Sequence, residues 1–240
     1  MSGSDRAIEA IAPSSHQCCA YDTGMIALPA LDADDFSRDP TLLADALRDH
    51  GVCWIADWPD VVLRKALRDD LRQLQSIGGL SAAAVGRSGD RALRNAIRAD
   101  STCWLEDLRC GDPARMVLAK FDAIRTVLNR TLFLGLVDCE AHYAAYPAGG
   151  GYARHRDRFR DSVSPAASPT RVVSWVAYLN ADWGHDDGGA LRVYFDNDST
   201  GETAIDVPPV GGSLCFLSEL EHEVLPSKRE RLSVAGWLRR

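Results

Sequence analysis

The chain has 240 residues, 46% of them apolar and 25% charged, which fits one globular domain with a sizeable core and excludes disorder over most of the length. Its formal net charge of −7 argues against partners that select basic surfaces, such as nucleic-acid backbones or anionic membranes. Seven cysteines at irregular spacing, with no C-x-x-C pair, read as reduced thiols rather than a disulfide framework or a zinc site. No secretory signal or membrane-length apolar run is visible, so a soluble, cytoplasmic protein is expected.

Residues 1–25 mix Ser, Pro, Cys and Ala without a period and read as a loosely ordered tail. Residues 26–240 read as the domain, with helical support over 40–130 and a strand-rich core over 138–239. Asp39-Pro40 precedes a short helix from Leu42 that stops near Gly51. Val52–Ala56 follows as a strand. Pro59 opens a second helix, in which Leu63, Leu67, Leu71 and Leu74 recur at helical spacing until Gly78-Gly79. Ser81–Asp100 is polar and basic and reads as a long, partly mobile loop, and Thr102–Leu105 as a strand. Asp112 then serves as N-cap with Pro113 at the first helical position, and Val117, Phe121, Ile124 and Leu128 share one face of a helix running to about Arg130.

After Gly135 the period becomes that of strands. Glu140–Tyr146 is strand-like, 147–151 is a turn, Tyr152–Phe159 is extended, and Ser162–Thr170 is a polar loop. Val172–Asn180 is a strand with Trp175 and Tyr178 on opposite faces. Asp182–Gly189 is a turn, and short strands follow at Leu191–Phe195, Ile205–Val207, Ser213–Leu217, Glu221–Leu225 and Arg231–Leu238. Helices followed by about eight short strands predict an α+β protein with helices packed on one face of a jelly roll, a double-stranded β-helix.

Within this series His155 and Asp157 stand two residues apart on extended chain, where alternation sends both side chains to one side. Chance often supplies such a pair, and a second occurs at His185-Asp186-Asp187. What distinguishes the first is His222, the one histidine in the last third of the chain on a predicted strand. A His, Asp, His set can occupy one face of an octahedral metal and leave other positions open, as in non-haem Fe(II) oxygenases, although other divalent metals suit it too. Arg231, at the start of the last strand, can hold a carboxylate through two parallel hydrogen bonds. Arg154, Arg156, Arg158 and Arg160 alternate beside the pair, as either a solvated strand face or a surface that steers an acidic substrate.

The blocks Tyr146-Pro147, Gly151 to Asp157, Tyr178 to Trp183, Gly188 to Arg192, His222-Glu223-Val224 and Arg231 to Trp237 stand in fixed order. Together with Ile97 to Asp100 and Trp104-Leu105-Glu106, they resemble the 2-oxoglutarate- and Fe(II)-dependent prolyl 4-hydroxylases, in the branch of the animal oxygen-sensing enzymes and their bacterial relatives. The resemblance covers roughly residues 50–239. It implies that His155, Asp157 and His222 ligate Fe(II), that Arg231 holds the distal carboxylate of 2-oxoglutarate with Tyr178 as a further donor, and that Tyr146, Leu191 and Trp237 complete the pocket. It also implies that His185-x-Asp187 is a turn and not a metal pair, and that His142 is a plain strand histidine. The interval from Tyr146 to His155 is a residue shorter than in the animal branch, which bears on where Tyr146 sits.

The reaction so implied consumes 2-oxoglutarate and O2, with ascorbate as reductant, releases succinate and CO2, and hydroxylates C4 of a prolyl residue. Retention of Asp157 favours hydroxylation over halogenation. Arg98, Asp100 and Arg171 are the expected contacts to a protein substrate, for which bacterial members suggest elongation factor Tu. An oxygenase acting on nucleic acid, and a non-catalytic metal-binding jelly roll, are the alternatives; the acidic balance disfavours the first, and Arg231 would have no task in the second.

Overall fold

The computed structural model describes residues 28–83, 98–158, 170–197 and 201–240. The expected tail over 1–25, Arg160, most of the Ser81–Asp100 loop and most of the Ser162–Thr170 loop lie outside these residues.

Among the described residues, four helices form the support. α1 (Ala33–Arg38), which the sequence reading did not anticipate, starts where the Asp32 carboxylate accepts the Asp35 N–H. α2 (Thr41–His50) ends at Gly51, whose φ of 72° suits a left-handed cap. α3 (Val61–Ser76) buries Leu63, Leu67, Leu71 and Leu74 as the spacing predicts, each worth on the order of 2 kcal/mol relative to exposure. Its cap is Asp60, which accepts the N–H groups of Val62 and Leu63, so Pro59 stands just outside the helix instead of opening it. α4 (Asp112–Leu132) is likewise shifted by one residue: Gly111 is the N-cap and Asp112 the first helical residue. The Asp70 carboxylate on α3 takes the N–H of Gly111 itself at 3.0 Å, and no side chain caps the first turn, so the cap expected of Asp112 is not formed.

Twelve strands among the described residues precede, follow or interleave with these helices. Of them, β5 (Asp138–Tyr146), β6 (Tyr152–His155), β7 (Arg171–Tyr178), β8 (Leu191–Asn197), β9 (Gly201–Val207), β10 (Gly212–Leu217), β11 (His222–Val224) and β12 (Arg231–Arg239) form the jelly roll. Its two sheets run β10-β7-β12-β5 and β6-β11-β8-β9. The first is extended on one side by β2 (Val52–Ala56) and β1 (Ala30–Leu31), and on the other by β4 (Ser101–Trp104) and β3 (Ser81–Ala82). The α+β jelly roll with supporting helices is therefore the architecture observed.

Strand alternation divides the core in two. Residues 141, 143 and 145 of β5, 173, 175 and 177 of β7, and 232, 234 and 238 of β12 pack in one apolar cluster with α2, α3 and α4. The intervening residues Ala144, Tyr146 and Tyr178 join Leu191, Val193, Ile205, Leu214 and Phe216 in a second cluster between the sheets. No described helix is long and apolar enough to cross a membrane.

Candidate active site

The inner faces of β5, β7 and β12 and the strands of the smaller sheet line one cavity, with about 500 Å³ of empty space including the open solvent at its mouth. Eight of the residues singled out in the sequence line it: Arg98, Tyr146, His155, Asp157, Leu191, His222, Arg231 and Trp237. Tyr178 adjoins from the inter-sheet cluster. The remaining two, Asp100 and Arg171, stand behind Arg98 and Trp237.

His155 ends β6 and His222 begins β11, and the two strands pair antiparallel with these residues directly opposite one another. Asp157 does not lie on the strand, because β6 stops at His155 and the chain bends; alternation therefore does not explain its position. It is held from the other sheet. Its Oδ2 accepts the Trp237 indole N–H at 2.7 Å and the Ser174 hydroxyl at 2.8 Å, from residues paired across β12 and β7. Ser174 in turn lies 2.8 Å from the Ser218 hydroxyl. Both imidazoles are oriented through Nδ1, His155 against the Ala153 carbonyl at 2.7 Å and His222 against the Leu220 carbonyl at 3.0 Å. That leaves each Nε2 as the inward lone pair. One ligand atom from each of the three residues falls within 4.8 Å of the others, a set that could hold a single ion.

The electrostatics suit a cation. Burial, followed by the neighbouring His222, pushes His155 down to about 4, so it is a neutral ligand at pH 7. Burial alone would raise the Asp157 carboxyl, but the two imidazoles, the indole N–H and Arg171 together hold it below the usual carboxylate range. His185, by contrast, is fully exposed on a single 3-10 turn (His185–Asp187), and its neighbour Asp187 is occupied with the Gly184 N–H and Arg229.

At the other end of the cavity Arg231 is 1% exposed. Its Nε donates to the Gly189 carbonyl at 3.1 Å and its Nη1 to the Ser233 hydroxyl at 3.2 Å, while Nη2 has no partner among the described residues. The fully buried Tyr178 hydroxyl is likewise without a partner among them. An unsatisfied buried donor costs on the order of 1–3 kcal/mol, and two beside a buried cation make a site for a carboxylate. Tyr146 and Tyr178 place their rings 5.3 Å from the guanidinium carbon. Gly189 is required at its position: φ is 72°, and a Cβ would lie 2.8 Å from that of Ser227 and 3.6 Å from Arg231 Cδ.

The reading from sequence missed Ser174, Ser218 and Ser233, and treated Trp237 as lining when it also donates to Asp157. A signal was available. Ser174 is four residues before Tyr178 on one strand, and Ser233 two after Arg231, so each shares the inward face of a residue already singled out. His142 is more than a strand histidine: it lines the cavity, edge-on to Trp104 and 5.2 Å from the Trp237 ring.

Residues 141–239 match the family model described as the 2OG-Fe(II) oxygenase superfamily. A prolyl-4-hydroxylase of Pseudomonas putida, known from a crystal structure, is 39% identical with a TM-score of 0.71, over 83% of this chain and 98% of that one. Two further structures share the fold. A Trichoplax adhaerens prolyl hydroxylase, solved in complex with a hypoxia inducible factor oxygen degradation domain peptide fragment, has 23% identity and a TM-score of 0.69 over 86% of this chain and 91% of that one. A prolyl 4-hydroxylase from Phytophthora capsici has 22% identity and a TM-score of 0.57 over 83% and 62%, respectively. With a buried His, Asp, His set at one end of its cavity and an arginine with an open donor at the other, the chain belongs to the 2-oxoglutarate- and Fe(II)-dependent dioxygenases of the prolyl 4-hydroxylase family, which use Fe(II), 2-oxoglutarate and O2.

Proposed function

We propose that this protein hydroxylates C4 of a prolyl residue in a protein substrate, coupled to conversion of 2-oxoglutarate and O2 into succinate and CO2. The observation that carries the reading is the pairing, within one cavity, of the three-residue set with the open donors of Arg231 and Tyr178. His155, Asp157 and His222 would hold Fe(II), and the iron, once bound, supplies the oxidative chemistry. Arg231 Nη2 and the Tyr178 hydroxyl would take the far carboxylate of 2-oxoglutarate, satisfying two buried donors at once. Leu191 and Tyr146 close apolar surface around the co-substrate chain and limit water. Trp237 and Ser174 occupy Asp157 Oδ2, which leaves Oδ1 to the metal. Arg98 and Arg171 would meet the substrate at the mouth, whereas the Asp100 side chain, expected as a third contact, is fully buried behind Arg98 and holds that guanidinium in place.

The 39% identity to a prolyl-4-hydroxylase supports the substrate class. Elongation factor Tu is the candidate protein that the resemblance to bacterial members supplies, and ascorbate the candidate reductant. The test is succinate formation by iron-loaded, reduced protein, with and without prolyl peptides, followed by capture of lysate proteins and a search for one added oxygen on proline. Absence of both uncoupled and peptide-stimulated turnover would sink the enzyme assignment. Oxygen added to residues other than proline would sink the substrate class.

A further inference from the structure

A run of aromatic rings leads from the Asp157 carboxylate to the protein surface. Trp237, 7% exposed, donates its Nε1–H to Asp157 Oδ2 at 2.7 Å. Its ring centre lies 6.4 Å from that of Trp104, and the His142 ring stands 5.2 Å from each of them. Strand pairing builds the contact: Trp104 on β4 is opposite His142 on β5, and His142 is opposite Ala235 on β12, so the two indoles flank one imidazole. Trp104 is 45% exposed, so the run ends in solvent.

Consumption of 2-oxoglutarate with no substrate bound needs electrons from elsewhere: 2-oxoglutarate, O2, two electrons and two protons give succinate, CO2 and water. A phenol yields an electron readily only where its proton has an acceptor. The three cavity tyrosines instead face guanidinium groups, which accept no proton: Arg98 lies 4.8 Å from the Tyr152 ring centre, and Arg231 lies 5.3 Å from those of Tyr146 and Tyr178. An indole can lose an electron and keep its proton. Trp237 also faces a cation, Arg171 at 3.6 Å, but two carboxylates offset it: Asp157 on the indole N–H, and Glu140 at 2.8 Å from Arg171. Positive charge left on Trp237 is therefore tolerated, and it is better placed on Trp104, where water solvates it and takes the indole proton.

We propose that Trp237 and Trp104 form an electron path that discharges the metal site when 2-oxoglutarate is consumed without a substrate, Trp237 giving each electron and Trp104 replacing it from a reductant in solvent. With an enediol reductant such as ascorbate, the two electrons and two protons come from the enediol, which leaves as the dehydro form. Without one, Trp104 is the terminal donor: its ring gains one oxygen from water and releases two electrons and two protons, which keeps the same balance. The inference rests on the dioxygenase assignment and does not depend on the prolyl substrate.

The test uses full-length, iron-loaded protein with 2-oxoglutarate and O2 but no peptide, and with catalase present to remove peroxide. Peptide mass mapping then locates added oxygen, normalised to succinate formed. In the wild type without ascorbate the oxygen should fall on Trp104, and ascorbate should lower it severalfold. Trp237→Phe at saturating Fe(II) interrupts the path and should lower the oxygen on Trp104 severalfold per succinate. Trp104→Phe should move added oxygen to Trp237 and other cavity residues, with ascorbate no longer protecting them. Equal marking of Trp104 in the wild type and Trp237→Phe means a diffusing oxidant and overturns the proposal. So does a wild type that is marked on Trp237 or the histidines with Trp104 clean, or one that forms no succinate without peptide. The wild-type outcomes need no variant, so a folding defect in either substitution leaves them decisive. Peptide-stimulated succinate formation in the same preparation tests the prolyl reading separately.

Discussion

Replacing Tyr178 by Phe removes one oxygen from the floor of the cavity and nothing else. The ring would keep its stacking on Trp54, with centroids 6.0 Å apart, and its place 5.3 Å from the Arg231 guanidinium. The hydroxyl has no partner among the described residues and is fully buried, so without co-substrate its loss should leave stability unchanged or raise it by up to about 1 kcal/mol. With co-substrate the sign reverses. A hydrogen bond to a carboxylate contributes about 1.5–3 kcal/mol, so the dissociation constant for 2-oxoglutarate should rise roughly 10- to 150-fold. Titration of 2-oxoglutarate into Mn(II)-loaded protein, beside urea denaturation of the metal-free form, measures both. Lower stability combined with unchanged 2-oxoglutarate affinity would refute the assignment, because it would mean that the hydroxyl serves the fold and not the ligand.

Other outcomes follow from the same contacts. Trp237→Phe removes an N–H donor 2.7 Å from Asp157 and should weaken Mn(II) binding about 10- to 100-fold, with 2-oxoglutarate affinity for the remaining loaded protein little changed; equilibrium dialysis separates the two. His142 is pushed down to about 4 by burial and by Arg98. Its folded pKa lies below the unfolded value near 6.5, so the unfolded chain binds the extra proton first and stability falls as pH drops from about 6.5 towards about 4. His142→Gln should remove on the order of 2–3 kcal/mol of that acid sensitivity, read as the difference in unfolding free energy between the two pH values. Gly236→Ala would place a Cβ 2.6 Å from Phe121 on α4 and should cost about 1–3 kcal/mol in chemical denaturation.

The metal set was legible because the two histidines and the carboxylate sit in blocks whose order survives in the sequence. The reason first offered for Asp157 was not the operative one. Strand alternation accounts for His155 and His222, but Asp157 follows the end of β6 and owes its position to Trp237 and Ser174, which lie 80 and 17 residues further along the chain. Contacts at that separation leave no local period. The inward faces were readable in principle, since Ser174-x-Val176-x-Tyr178 and Arg231-x-Ser233-x-Ala235-x-Trp237 each alternate against a helix-facing apolar set. The starts of α2, α3 and α4 were legible to within two residues, whereas α1 was not anticipated. At α4 the Gly111 N–H goes to Asp70, on another helix, and no local signal at Asp112 could announce that contact. The arginine run does not form the strand face that alternation suggested, because Arg156 and Arg158 follow the end of β6 and Arg160 lies outside the described residues, and the partners of Arg154, Arg156 and Arg158 are Glu202 on β9 and Glu219 and Glu221 in the turn before β11.

The two jelly-roll sheets divide the cavity's chemistry between them. His155 and His222 belong to the smaller sheet, whereas Arg231 and Tyr178 belong to the larger. On the proposed reading, the span between metal and carboxylate anchor would be set by the apolar layer that keeps the sheets apart, including Val193, Ile205, Leu214 and Phe216. That layer would then act as a spacer gauge for the length of the dicarboxylate. Trimming or enlarging it would retune which chain length fits while leaving every coordinating and anchoring side chain unaltered.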